Sequence, residues 1–243
     1  MTINLCDKPD YISISENLKY IRNEIADAAS KSGRCADDIK LMAVTKTVSV
    51  DKINFAIEHC GINLIGENKV QEFISKKDSL MLQGVEKHLI GHLQTNKVKK
   101  IIGEVDMIQS VDSLRVAECV SKEAEKLGIQ AKVLLEINIG DEESKTGFDK
   151  VAFNEALAEI SELPNLIVKG LMTIPPICEN SSELEKYFEN MSNYYEEIKN
   201  GSYSNFDFEI LSMGMSGDYT EAILHGSNLV RVGSAIFGAR NYK

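Results

Sequence analysis

The sequence predicts a (β/α)8 TIM barrel with an extra helix ahead of the first strand. Three observations carry this reading. Eight short apolar runs recur along the 243 residues. Amphipathic stretches with apolar residues three and four apart separate them, as helices alternating with buried strands require. No GxGxxG follows any run, which weakens an open doubly wound sheet, and no linker or low-complexity segment divides the chain. A length of 243 residues suits one barrel domain, here expected to span 1–243.

The elements follow in order. Ser13 and Glu16 have capping-box spacing, and Ile14, Leu18, Ile21 and Ile25 form the apolar stripe of the extra helix. The first strand is expected over 39–46 (IKLMAVTK), ending on Lys46, and a helix over 50–60 buries Ile53, Ile57 and Cys60. Strands follow at 62–66, 87–91 and 106–111. A helix over 113–127 carries Leu114, Ala117, Val120, Ala124 and Leu127 and stops at Gly128, a residue suited to the left-handed turn that ends helices. Strands at 130–139 and 166–174 precede a helix over 182–199, where Ser182 and Glu185 again have capping-box spacing. The last strands are expected at 207–213 and 229–236.

Composition narrows the function. The formal net charge is −10, which repels polyanions and argues against nucleic acid or an anionic membrane as the main partner. No apolar run approaches the roughly 20 residues of a membrane span, and the N-terminus lacks the pattern of a signal peptide. Five scattered cysteines, none in a CxxC pair, read as reduced thiols of a cytoplasmic protein. His88 and His92 are four apart but straddle a strand end, so packing or hydrogen bonding is expected there in preference to a metal.

A barrel gathers its chemistry at the C-terminal ends of its strands. Lys46 stands there, as do Gly66-Glu67-Asn68, the IGHLQTNK segment, the acidic loop GDEESKTG, Met172-Thr173 and SMGMSGD at 212–218. In that last segment Gly214, Ser216 and Gly217 lead into a helix, an outline of a phosphate cradle; a plain helix start capped by Ser216 or Asp218 is the other reading. Gly233 and Ser234 favour the cradle, because barrels place phosphate sites at the loops after strands seven and eight. Arg231 lies inside an apolar strand and needs a partner. A lysine amine, a cradle and an interior arginine in one cup suit an aldehyde that carries a phosphate. Pyridoxal phosphate fits, with a Schiff base on Lys46, phosphate in the cradle and the ring nitrogen at Arg231. A Schiff-base aldolase acting on a sugar phosphate uses the same lysine without a cofactor.

Several segments together resemble the pyridoxal phosphate homeostasis protein family (the YggS/PROSC family): AVTK at 43–46, GENKVQE at 66–72, HLIGHLQTNK at 88–97, the 137–147 run with SKTG, GLMTIP at 170–175, SMGMSGD at 212–218 and VRVGSAIFG at 230–238. The resemblance covers nearly the whole chain in order. It implies a fold-type III barrel similar to the N-terminal domain of alanine racemase, a protein that binds pyridoxal phosphate without established turnover, and a part in balancing the supply of that cofactor. It further implies Lys46 as the Schiff-base lysine, Ser216, Gly233 and Ser234 as phosphate contacts, Arg231 as partner of the pyridine nitrogen, and Asn68 and Met172 as lining residues. The chain departs from the family pattern at Val48-Ser49, at Lys69 and at Lys87, all flanking the contacts. The expected protein is a cytoplasmic monomer that holds the cofactor for recipient apo-enzymes. An amino-acid racemase or decarboxylase is the alternative. Racemisation needs a base on each face of the substrate; the resembling racemases draw the second from a further domain that this reading does not expect here.

Overall fold

Eight parallel strands close into a barrel in chain order, β1 pairing with β2 on one side and with β8 on the other. The computed structural model describes residues 9–140, 146–178 and 180–239. The strands are β1 (Lys40–Val44), β2 (Leu64–Glu67), β3 (Glu86–Leu89), β4 (Met107–Val111), β5 (Ala131–Ile137), β6 (Leu166–Thr173), β7 (Phe206–Met215) and β8 (Leu229–Val232). Each falls on an apolar run expected from the sequence. Most of the acidic loop, with Lys145, and the N-terminal stretch with Cys6 lie outside the described residues.

The helices are α1 (Pro9–Lys31), α2 (Val50–Cys60), α3 (Val70–Lys76), α4 (Thr95–Ile101), α5 (Leu114–Leu127), α6 (Lys150–Ser161), α7 (Ser181–Lys199), α8 (Tyr219–Leu224) and α9 (Ser234–Phe237). None among the described residues is long and apolar enough to cross a membrane. The stop of α5 is as expected, with Gly128 at φ 65°. Two helix starts differ. α1 begins at Pro9, and the Ser13 hydroxyl bonds back to the Pro9 carbonyl from inside the helix. α7 is capped by Asn180, whose side chain accepts the Glu183 N–H, while the Ser182 hydroxyl donates to that same oxygen. An Asx cap two residues earlier outcompetes the serine because it reaches the orphan N–H directly.

The apolar stripe of α1 (Ile14, Leu18, Ile21, Ile25) is buried against β1, α2, α8 and α9, and Tyr11 stacks on Phe55 with ring centroids 4.4 Å apart. Inside the barrel, Met42, Leu64, Met107, Leu134, Met172 and Ile210 belong to one buried plug. Val44 and Ile90 join that plug and carry it toward the strand ends, so the cup above has an apolar floor.

Candidate functional site

Strand β1 ends at Val44, two residues before Lys46, so Lys46 stands on the turn above the barrel and not within the strand. This corrects the sequence reading of the strand end. The turn is anchored from below. Thr45 N–H bonds to the Gly66 carbonyl at 2.9 Å, and the buried Thr45 hydroxyl lies 3.2 Å from Glu67 Oε2. Thr47 takes a left-handed backbone (φ 63°) and gives its N–H to Glu72 Oε1 at 2.6 Å. Lys76 ties these together: its Nζ is 2.9 Å from the Thr45 carbonyl, 2.6 Å from Glu67 and 2.9 Å from Glu72. Burial pushes the Glu67 carboxyl above its ordinary range, and Lys76 opposes that shift. A buried ion pair with every oxygen engaged fixes geometry more than it adds stability.

The corner across the cup is built from the ends of β7 and β8. The strand expected over 229–236 stops at Val232, and Gly233 turns the chain into α9. The Ser216 hydroxyl oxygen accepts the N–H groups of Gly233 (3.1 Å) and Ala235 (3.3 Å). Ser216 thus cross-links the two strand ends. Asp218 starts α8 and receives the Met215 N–H. Gly214 sits at φ 95°, and a Cβ there would come within 2.6 Å of Ala222, so the SMGMSGD turn admits only glycine at this point. The Ser234 N–H, first in its helix, has no acceptor within that helix.

Lys46 and the Gly233-Ser234 part of this corner share a cavity of about 300 Å3, lined by Val44, Lys46, Thr47, Gly233, Ser234 and Phe237 among others, whereas Ser216 lines a neighbouring cavity with Glu24, Asp218 and Tyr219. The other expected residues lie deeper or beside it. Arg231 is 3% exposed; its Nη1 donates to the Ser212 carbonyl (2.8 Å) and Oγ (2.6 Å), and its Nη2 to the Thr173 carbonyl (2.7 Å). Three of its five N–H groups are thereby used. Burial lowers Arg231 to about 10, with Glu136 and Asp218 opposing, so it is charged at neutral pH. Met172 is fully buried in the apolar plug. Asn68 follows β2, and its buried Oδ1 has no hydrogen-bond partner among the described residues. A Cβ on Gly91 would stand 2.3 Å from the Asn68 carbonyl, so glycine at 91 is what lets Asn68 occupy this place.

The sequence reading missed the carboxylates beneath the cup. Glu136, on β5, is 4% exposed, accepts the Thr146 hydroxyl at 2.7 Å and is pushed upward by burial. It interrupts the run KVLLEINI, a signal of the same kind as Arg231 in β8. Glu72 and Lys76 are spaced i, i+4 on α3, which was legible as a pair but not as a support for Lys46. Tyr219 and His92 are the titratable groups of the neighbouring loops that could act as a base on the second face of a substrate. The Tyr219 hydroxyl donates to Glu24 on α1, away from the cup. His92 Nδ1 lies 2.7 Å from Asp112 Oδ2, with the imidazole half exposed.

Residues 15–241 match the family model described as alanine racemase, N-terminal domain. A pyridoxal phosphate homeostasis protein of Aquifex aeolicus is 40% identical over 227 residues, covering 93% of this chain and 98% of the relative. One of Escherichia coli K12 is 38% identical over 235 residues, covering 94% and 97%. Among solved structures, PipY of Synechococcus elongatus with PLP bound superposes with a TM-score of 0.82 at 30% identity, covering 93% of this chain and 100% of that one.

Proposed function

This chain belongs to the family of the alanine racemase N-terminal domain, alongside the pyridoxal phosphate homeostasis proteins, and on that premise we propose that it binds pyridoxal phosphate and serves in maintaining its supply. The observation that carries the proposal is the shared cavity: the Lys46 amine and the Gly233-Ser234 corner line one space above an apolar floor. The unpartnered Asn68 oxygen and the two remaining N–H groups of Arg231 supply polar contacts of the kind a small heteroaromatic phosphate needs.

In this reading Lys46 carries the cofactor as a Schiff base, formed by its amine with loss of water from the aldehyde. The hydroxyls of Ser216 and Ser234 and the Ser234 N–H hold the phosphate, and Gly233 leaves room for it. Arg231 faces the ring nitrogen, and Asn68 and Met172 border the ring. When bound, pyridoxal phosphate supplies an aldehyde that condenses with amines. A donor charged at neutral pH at the ring nitrogen keeps that nitrogen unprotonated, which weakens the ring as an electron sink and favours holding over carbanion chemistry. The reading extends to a single barrel domain over residues 1–243 without turnover, acting in the cytoplasm as a monomer that passes the cofactor to apo-enzymes. The position of Tyr219, bonded to Glu24, supports the non-catalytic side of it.

The test is direct. Protein loaded with pyridoxal phosphate is expected to absorb in the visible, and borohydride reduction followed by peptide mapping to place the pyridoxyl group on Lys46. Lys46→Ala should abolish the label. Labelling mainly at Lys145 defeats the assignment, and enantiomer exchange of L-alanine above a free-cofactor control, lost in Lys46→Ala, defeats the non-catalytic reading.

A further inference from the structure

An unbroken chain of side-chain hydrogen bonds crosses the inside of the barrel. Arg231 Nη1 is 2.6 Å from Ser212 Oγ, Ser212 Oγ is 2.8 Å from Gln109 Oε1, Gln109 Nε2 is 2.8 Å from His88 Nδ1, and His88 Nε2 is 2.8 Å from Glu86 Oε1. Arg231, Ser212, Gln109 and His88 are all buried, and they come from β8, β7, β4 and β3. Glu86 opens β3 at the barrel face opposite Lys46 and is partly exposed to solvent.

The chain has one direction, set from both ends. A guanidinium only donates, so Ser212 Oγ accepts from Arg231 and sends its own proton to Gln109 Oε1. This orients the Gln109 amide with its NH2 toward His88 Nδ1, which must accept. His88 is then neutral with its proton on Nε2, donated to a carboxylate that only accepts. A proton on Nδ1 would set N–H against N–H. Turning the amide over moves the misfit to Ser212, whose hydroxyl would meet two donors and lose the acceptor for its own proton. Only the arrangement with neutral His88 gives the Ser212 hydroxyl proton an acceptor and sets no donor against a donor along the chain.

Packing alone does not ask for these groups. The same interior is filled elsewhere by apolar side chains, and buried polar networks generally stabilise a fold less than well-packed apolar residues of similar volume. We infer that Ser212, Gln109 and His88 are positioning residues for Arg231, locking its guanidinium so that its two remaining N–H groups face the ring nitrogen of bound pyridoxal phosphate, and that Glu86 fixes the direction of the lock. The inference rests on the reading that Arg231 serves that nitrogen.

Two measurements test it. In 15N-labelled protein without cofactor, the His88 ring is expected to show a bare Nδ1 and a protonated Nε2, and the Arg231 Nε–H signal to shift in Ser212→Ala and in Gln109→Met. In loaded protein, both substitutions should displace the visible band and weaken cofactor retention by about tenfold, the usual effect of losing one hydrogen bond to a charged group; Ser212→Thr, which keeps the hydroxyl, should restore both. If the wild type takes up no pyridoxal phosphate, the cofactor reading fails, and the lock stands or falls on the Arg231 and His88 signals. A His88 proton on Nδ1 overturns it, even should the variants not fold. So does a pair of variants that lower the melting temperature while leaving band, retention and Arg231 signal unchanged.

Discussion

At the scale of single residues, the position of Lys46 depends on charges that never touch a ligand. Lys76 holds Glu67, Glu72 and the Thr45 carbonyl at once. Lys76→Met leaves the Glu67 carboxylate buried without its cation, a loss of about 3–5 kcal/mol. Urea unfolding measures it, and adding Glu67→Gln should recover most of it. Thr47 offers the opposite trade. A β-branched residue at φ 63° stores about 1–2 kcal/mol of strain. Thr47→Gly is therefore expected to hold or raise the melting temperature while loosening cofactor retention. Glu86 answers to pH. The His88 N–H, outweighing burial, holds its carboxyl below its ordinary range. A carboxyl depressed in the folded state contributes stability above its unfolded value, about 4.3, and loses it as pH falls through its folded value. Unfolding midpoints between pH 5 and 2.5 should fall less steeply in Glu86→Gln than in the wild type.

Among the elements, α1 does more than precede the barrel. Asn17 Nδ2 donates to the Ile236 carbonyl at 3.0 Å, at the end of α9, and Glu24 receives the Tyr219 hydroxyl at the start of α8. The helix thus backs the same corner that Ser216 cross-links. Leu18→Ala is expected to cost about 2–4 kcal/mol as a core cavity, and Asn17→Ala to lower cofactor retention with a smaller loss of stability; thermal melts and fluorescence titration separate the two. The stripe of α1 was legible because Ile14, Leu18, Ile21 and Ile25 repeat at helical spacing. Its starting residue was not, because Ser13 satisfies its hydroxyl within the helix. The end of β8 escaped for a related reason: LVRVGSAI is mostly apolar on both sides of the break, and only the turn at Gly233 divides strand from helix.

Over the whole molecule, barrel order was readable because each strand is a separate apolar run and neighbours in sequence are neighbours in space. That Lys46, Ser234 and Gly233 line one cavity was legible because strand ends of a barrel converge. The chain of hydrogen bonds from Arg231 to Glu86 was not, since its members come from four strands and, Arg231 and His88 apart, are ordinary polar letters in their own segments. Closure also sets a moment at which the site can exist. Lys46 follows the first strand and Arg231 sits in the last, which pair edge to edge with Met42 opposite Arg231 and Ala43 opposite Val232. A growing polypeptide emerging from a ribosome therefore owns the lysine long before it owns the arginine and the corner. Arrested nascent chains that lack β8 should therefore remain colourless in the presence of excess pyridoxal phosphate.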